Sequence, residues 1–194
     1  AYHSGIFPWF SDDQPILWWS PNPRYLVRPG EVKIRRSLKK TLRNAGFEVT
    51  FNQAFDRVIR ACSDRDETWI NSDMIQSYGQ LHQLGWGRSV ETWYQGELVG
   101  GLYGIAMGRF FFGESMFSLR TDASKVAFAT LARQLQQWGY EWIDCQVATD
   151  HLISLGAQGV PREAFVHELK QHAGPAPHLA RAPAAWPTHP AIAW

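Results

Sequence analysis

Three predicted strands joined by two short turns constrain the fold of this 194-residue chain more than any other feature. The strands cover residues 89–94, 98–107 and 110–118, and the turns fall at Gln95-Gly96 and Gly108-Arg109. Glycine marks such reversals because it adopts backbone conformations that other residues avoid. Strands separated by so few residues pair with each other, so we predict an antiparallel meander at the centre of the fold.

Helical patterns of apolar residues lie on both sides of this meander. One helix is expected to start at an Asn71 or Ser72 cap, to run to residue 84 and to stop at Gly85. The other predicted elements are helices over 35–44, 53–62, 122–138, 151–155 and 161–172, and strands over 47–51 and 141–147. This order of helices and strands predicts the α+β (mixed α/β) class, with a largely antiparallel sheet.

Both ends of the chain differ in composition from its middle. Prolines interrupt residues 1–30, which are also rich in aromatic side chains, so an irregular segment is expected there. From Gly174 onwards proline and alanine dominate, which predicts a flexible tail. The chain begins at Ala1 and not at a methionine, so we expect a trimmed or incomplete product.

Composition narrows the class of protein. Hydrophobic residues make up 45% of the chain, and the formal net charge is +1, so any nucleic-acid surface must be a local patch. The two cysteines, Cys62 and Cys145, form no CxxC pair, which excludes a disulfide framework and suits a reducing cytoplasm. Without an apolar run of about 18 residues or a signal peptide, we expect a soluble cytoplasmic protein with no membrane partner. No HxxH or HExxH pair occurs, so no metal site is expected.

A stripe of cations is predicted on one face of the helix over 35–44. Arg36, Lys39, Lys40 and Arg43 recur at helical spacing, and Glu31 is the single acid between Arg24 and Arg43. Such a stripe could bind the phosphates of RNA. A solvated helix face explains the same pattern, and the sequence alone leaves both interpretations open.

Two strands carry polar side chains in apolar surroundings. Glu114 lies within Phe-Phe-Phe-Gly-Glu-Ser-Met-Phe-Ser, where a buried carboxylate would need a raised pKa or a specific partner, although it could also face solvent. Asp144 and Gln146 share one face of the strand over 141–147, and Cys145 takes the other. A bound substrate or a structural hydrogen-bond network could satisfy them. Cys145 is expected to be a small buried hydrophobe and not a nucleophile.

The order of short motifs adds a family resemblance that covers almost all of residues 1–165. The motifs are GIFPWF (5–10), WWSPNPR (18–24), RRSLKKTLR (35–43), TWI (68–70), SVE (89–91), LVGGLYG (98–104), GESMFS (113–118), DASK (122–125), DCQ (144–146) and HLISLGA (151–157). In this order, and with GESMFS and DCQ at this separation, the chain resembles the leucyl/phenylalanyl-tRNA–protein transferases.

The resemblance implies an architecture and a reaction. It implies a remnant of a small N-terminal domain (1–30), an N-acetyltransferase-like catalytic domain (31–173) and a Pro/Ala-rich tail (174–194). The implied reaction moves Leu or Phe from aminoacyl-tRNA to proteins whose N-terminal residue is Arg or Lys, marking them for degradation. No cofactor and no metal is implied, because an aminoacyl ester is already activated.

Site residues follow from the same resemblance. Asp144 and Gln146 are expected to orient and deprotonate the attacking amine, with Glu114 close by. The aminoacyl pocket is expected at Leu102, Phe111, Gly113, Met116, Leu131 and Ile143. The terminal adenosine and the tRNA are expected at Tyr2, Trp9, Trp69, Tyr78, Arg36, Lys39, Lys40 and Arg43.

Some positions depart from the family pattern. Arg88 stands where members often have a histidine, Leu102 replaces a usual methionine, and the usual stretch before Ala1 is missing. Two alternatives therefore stay open: a non-catalytic paralogue that binds tRNA or N-degron substrates, and an acyl-CoA N-acetyltransferase. Residues 120–125 contain no glycine, which disfavours the acetyltransferase because such enzymes hold pyrophosphate in a glycine-rich loop.

Overall fold

The structure, a computed structural model, describes residues 1–11, 13–64, 68–174, 185–192 and 194. Its strands are β1 (Phe7–Pro8), β2 (Trp18–Trp19), β3 (Arg24–Val27), β4 (Glu48–Phe51), β5 (Gly87–Tyr94), β6 (Glu97–Met107), β7 (Phe110–Ser118), β8 (Trp142–Gln146) and β9 (Gln158–Val160). Its α-helices are α1 (Arg36–Asn44), α2 (Phe55–Ser63), α3 (Ser72–Gln83), α4 (Ala123–Gln137), α5 (Asp150–Ser154) and α6 (Arg162–His172). Short 3-10 turns cover Tyr2–Ser4 and Pro29–Glu31. The predicted α+β class is confirmed.

The predicted meander forms the middle of a seven-stranded sheet in the order β4-β5-β6-β7-β8-β3-β9. β5, β6 and β7 pair antiparallel, as predicted. The turn between β5 and β6 has positive φ at both Gln95 (52°) and Gly96 (80°), the geometry that suits a two-residue hairpin. β7 and β8 form the one parallel pair among the described strands, because α4 crosses over between them.

The prediction that residues 1–30 are irregular is wrong for the short strands among them. β1 pairs with β2, and β3 lies between β8 and β9 in the large sheet. Prolines flank β3 at Pro23 and Pro29 and do not interrupt it, so the strand keeps all its amide donors. Residues 24–27 are therefore part of the larger sheet and not of a separate N-terminal unit.

Helices cover both faces of the sheet and form two apolar clusters. α2 and α3 pack against one face, and α4 with α1 packs against the other. Alternate residues of β6 follow this division, because Tyr103 and Ile105 join the first cluster while Leu102 and Ala106 join the second. The cap of α3 is as predicted, since the Asn71 side chain accepts a hydrogen bond from the Met74 amide.

Glycines in β6 allow close approach of neighbouring backbone. A Cβ at Gly104 would lie 2.1 Å from the Phe112 carbonyl oxygen, and the β6–β7 register shifts between Tyr103 and Gly104. A Cβ at Gly100 would lie 2.5 Å from the Cβ of Ala123, at the start of α4. The register shift marks a bulge, and at both glycines the close neighbours belong to the protein itself.

The last residues of the chain do not behave as a flexible tail. Thr188 accepts a hydrogen bond from the amide of Phe51 on the edge strand β4, and Trp186 packs on the second apolar cluster. Proline removes regular structure from this segment, but the tryptophan still has apolar surface to bury. The prediction of flexibility also covered residues 175–184, which lie outside the described part of the chain. No helix in the described part is long and apolar enough to cross a bilayer.

Candidate active site

A pocket opens where the parallel strands β7 and β8 separate. Their pairing runs from Phe110 opposite Trp142 to Phe112 opposite Asp144. Beyond that pair the two strands line a cavity of about 240 Å³ with residues 113–116 on one side and 144–147 on the other. The GESMFS and DCQ motifs, distant in sequence, therefore form the two walls of one pocket.

Glu114 lies in a buried hydrogen-bond network at this pocket. Its Oε1 accepts from the Tyr2 hydroxyl (2.8 Å) and from Nε2 of Gln146 (3.1 Å), and its Oε2 accepts from the Tyr78 hydroxyl (2.7 Å). The two phenol oxygens are 2.6 Å apart. The interpretation of Glu114 as a solvent-facing edge residue is thus wrong, and a carboxylate with specific partners is confirmed.

Burial raises the pKa of Glu114 to about 7. This value already includes the nearby negative charge of Asp144, which raises the pKa, and the hydrogen bonds from Tyr78, Tyr2 and Gln146, which lower it. Burial and the charge of Glu114 also raise the pKa of both phenols well above the usual tyrosine value, so these hydroxyls stay protonated as donors. A carboxyl group with a pKa near 7 can take up and release a proton at neutral pH.

Asp144 is locked in a buried ion pair with Arg24. Nε and Nη2 of Arg24 donate to Oδ1 and Oδ2 of Asp144 at 2.8 and 2.6 Å, and both side chains are shielded from solvent. Nη1 of Arg24 also donates to the Gly5 carbonyl (3.2 Å), and the rings of Phe7 and Phe165 contact the guanidinium at 4.7 and 4.6 Å. Sequence reasoning assigned no site role to Arg24, although it ends the WWSPNPR motif.

The backbone of Gln146 has a left-handed conformation, with φ of 64°. Its amide donates to Oδ1 of Asp144 (2.8 Å), while its side chain reaches Glu114. A non-glycine residue rarely adopts this conformation without supporting contacts. The Arg24–Asp144 pair supplies such a contact and thereby positions the amide group that touches Glu114.

Cys145 faces away from these polar groups and belongs to the second apolar cluster. Burial raises the pKa of its thiol far above the usual value, so it stays neutral, as expected for a buried hydrophobe.

His151, which sequence reasoning gave no role, lines the same pocket. Burial and nearby Lys125 lower the pKa of His151, so its imidazole is neutral at pH 7. Among the described residues, no group of His, Cys, Asp and Glu is arranged to hold a metal ion.

Most residues expected in the aminoacyl pocket lie in the cavity wall. Those that line it are Leu102, Phe111, Gly113, Met116 and Ile143. Leu131 does not reach the lining and is buried in the apolar cluster behind it. Phe128 and Leu152, which were not expected, complete the apolar wall. The HLISLGA motif, which includes Leu152, was the sequence signal for that part of the wall.

The four aromatic residues expected around adenosine fall into two groups. Trp9 and Trp69 line the pocket. Trp9 is 41% exposed, and its ring centroid lies 5.6 Å from that of Trp19. Tyr2 and Tyr78 instead turn their hydroxyls to Glu114 and lie outside the lining. Their hydroxyls belong to the carboxylate network, and their expected contact with adenosine stays a prediction.

The predicted basic stripe lies on the exposed face of α1. Arg36, Lys39, Lys40 and Arg43 are all exposed, whereas Leu38 anchors the opposite face. α1 contacts the start of α4, where the hydroxyl of Thr41 donates to Asp122 (3.3 Å).

The chain is similar to known proteins over most of its length. A family model described as leucyl/phenylalanyl-tRNA protein transferase matches residues 26–170, and a model of the N-terminal domain of that family matches residues 1–22. A leucyl/phenylalanyl-tRNA–protein transferase from Nitrosospira multiformis is 55% identical over 175 residues, which is 88% of this chain and 75% of that protein. One from Hahella chejuensis is 56% identical over 174 residues, which is 88% of this chain and 74% of that protein.

These matches, with the pocket and its ionisable network, define the protein as a transferase. The chain belongs to the leucyl/phenylalanyl-tRNA–protein transferase family.

Among solved structures, a GCN5-related N-acetyltransferase from Kribbella flavida overlaps with a TM-score of 0.45 and 15% identity, over 80% of this chain and 56% of that chain. An overlap at this level is too low to define the fold, so the N-acetyltransferase-like architecture stays a prediction.

Proposed function

We propose that this protein transfers Leu or Phe from aminoacyl-tRNA to the α-amino group of proteins whose N-terminal residue is Arg or Lys. Transfer would mark those proteins for degradation in the cytoplasm. The observation that carries the proposal is the junction of an apolar pocket with a buried carboxylate whose pKa is about 7. The pocket suits the aminoacyl side chain, and the carboxylate suits the proton that the attacking amine must lose.

The reaction needs no further reagent. The nitrogen of the acceptor attacks the ester carbonyl carbon, a C–N bond forms, and the C–O bond to the terminal ribose breaks. The amine loses a proton, and the departing ribose oxygen gains one. The pKa of the free α-amino group, ~7.7–8.0, is close to that of Glu114, so proton transfer between them has little thermodynamic cost.

Within this proposal Glu114 accepts the proton and Gln146 orients the reacting groups. Asp144 acts through position, because a buried ion pair with the Arg24 cation holds both of its oxygens, whereas the donors to Glu114 are neutral groups. Sequence reasoning assigned the deprotonation to Asp144 and Gln146, and the proposal moves the proton to Glu114. A base placed in this way contributes roughly 10²–10⁴ in rate, and alignment of amine and ester contributes more.

The walls of the pocket support a preference for large apolar side chains such as those of Leu and Phe. Leu102, Phe111 and Met116 offer large, adaptable apolar surfaces. One methylene in such a pocket changes the transition-state free energy by only ~1–3 kcal/mol. Selection between Leu and Phe should therefore be incomplete.

The tRNA would be held by stacking and by charge. Trp9 and Trp69 at the pocket are suited to the terminal adenosine, where stacking contributes ~1–3 kcal/mol per base. The exposed stripe on α1 is suited to phosphates, which carry no sequence information. Acyl-CoA-dependent acetylation fits less well, because residues 120–125, which lead into α4, contain no glycine that would let backbone amides approach a pyrophosphate.

The test is transfer of labelled Leu or Phe from tRNA to peptides that start with Arg or Lys. The same peptides with an acetylated N-terminus are the matched controls, because they lack the attacking amine. We expect label only in the free peptides, and Glu114→Gln should reduce kcat by roughly 10²–10⁴. Binding of tRNA without any transfer by the wild type would favour the non-catalytic paralogue.

A further inference from the structure

The C-terminal segment continues the structure beyond the part that the family models match. Those models end at residue 170, whereas residues 185–192 and 194 lie against the catalytic domain. The amide of Phe51 on the edge strand β4 donates to the Thr188 carbonyl (2.8 Å). The amide of Ala191 donates to Oε1 of Gln134 on α4 (2.8 Å). The segment is thus attached to both the sheet and the helix that covers it.

Trp186 is the anchor of this segment. Its ring lies 5.0 Å from Trp138, 5.6 Å from Phe51, 6.0 Å from Phe111 and 6.5 Å from Tyr140, measured between centroids. Aromatic pairs at such distances add stabilisation beyond the apolar area they bury. Trp186 therefore completes an aromatic cluster contributed by β4, β7 and the end of α4.

Arg88 also contacts this anchor. Its guanidinium lies 5.5 Å from the Trp186 ring centre, and the side chain is buried. The contact adds a cation–π interaction to the aromatic cluster.

Phe111 connects the cluster with the pocket. Its ring contacts Trp186, and the same residue lines the pocket with Leu102 and Ile143. Phe111 is almost completely buried, so its place in the wall depends on what packs around it.

The geometry points to Trp186 as a residue that determines aminoacyl specificity by supporting the Phe111 wall. This inference rests on the proposed function, since it concerns the same pocket. Removing the indole leaves a void next to Phe111, and a core side chain moves into such space only in part. Phe111 then moves away from the pocket, and the pocket becomes wider. The kcat/KM for the larger phenylalanyl group therefore rises relative to that for the leucyl group.

The experiment uses the full chain with Trp186→Ala and, as a matched control, Trp194→Ala. Trp194 is a tryptophan of the same segment that packs on Arg133 at 4.8 Å. The measurement is the ratio of kcat/KM for Phe-tRNA to that for Leu-tRNA. We expect Trp186→Ala to raise this ratio by about fivefold or more, and Trp194→Ala to leave it unchanged. An unchanged ratio in Trp186→Ala, or an equal rise in both variants, overturns the inference.

A second variant and a binding measurement complete the experiment. If Trp186→Ala does not fold, Trp186→Leu removes less volume and should shift the ratio in the same direction. Binding of non-hydrolysable phenylalanyl- and leucyl-adenosine amides gives the same comparison as a ratio of Kd values. A wild type that binds both amides but transfers nothing disproves the proposed function, while the Kd ratio still decides the role of Trp186.

Discussion

Arg24 and Asp144, 120 residues apart in sequence, form a buried bidentate ion pair. The pair joins β3 to β8 at the point where β8 enters the candidate active site. Through the amide of Gln146 it also supports the side chain that contacts Glu114. An N-terminal strand therefore participates in positioning a site built mainly from the second half of the chain.

Replacing Arg24 with alanine should destabilise the protein strongly. The substitution leaves a buried carboxylate without its partner, and such losses cost about 3–5 kcal/mol in the free energy of unfolding. Urea denaturation of both proteins measures the difference. Arg60→Ala is the control, because Arg60 pairs with Asp56 in solvent and should change stability little. Equal effects of the two substitutions would contradict a structural role for the Arg24–Asp144 pair.

Glu114 should make stability depend on pH in a defined window. Its pKa is 4.5 in an unperturbed chain and about 7 in the fold, so the folded protein holds an extra proton between these values. The resulting stabilisation is full below pH 4.5 and is lost as the pH rises to about 7. Over that window, the free energy of unfolding of the wild type should fall by about 3 kcal/mol relative to Glu114→Gln.

Urea denaturation of the wild type and Glu114→Gln at several pH values tests this expectation. The two curves should diverge above pH 4.5 and run parallel above about pH 7. Curves that stay parallel throughout would show that Glu114 does not hold the extra proton.

Reversing charge on α1 should weaken binding of all tRNAs alike. Lys39→Glu combined with Lys40→Glu replaces two exposed cations, so fewer counterions are released on binding and the salt dependence becomes flatter. The measurement is Kd against salt concentration for several tRNAs. Lys170→Glu, on the exposed side of α6, is the control and should leave the slope unchanged. If the salt dependence of Kd is the same in the double variant and the wild type, the stripe is a solvated helix face and not a tRNA-binding surface.

Two glycine substitutions should have opposite effects on stability. A Cβ at Gly104 would lie 2.1 Å from the Phe112 carbonyl oxygen, so Gly104→Ala forces β6 and β7 apart at a cost of about 1–3 kcal/mol or more. Gly79 in α3 has nothing within 4 Å of its ideal Cβ, so Gly79→Ala should stabilise by roughly 0.5–1 kcal/mol. Thermal unfolding of both variants measures the two effects. If Gly104→Ala leaves the unfolding temperature unchanged, β6 and β7 can separate at this point without loss of stability.

Local patterns predicted most of the elements. The strands of the meander, the Asn71 cap and the long helix after Asp122 follow from short-range spacing and turn chemistry, and the structure has them within a few residues. β1, β2, β3 and β9 were missed. β1, β2 and β9 are too short to show a period of their own, and β3 lies in the proline-rich segment that was expected to be irregular. β3 and β9 form because they pair with each other and because β3 pairs with β8.

By itself, the sequence determined the fold class, the family and most of the pocket wall, because periodicity and ordered motifs are properties of neighbouring residues. Only the tertiary structure decided what the polar side chains do. It paired Asp144 with Arg24, joined Tyr2 and Tyr78 to Glu114, and packed Trp186 against Phe111. The physical reason is that burial and partner geometry set the charge and orientation of these groups, and both depend on which distant segments the sheet brings together.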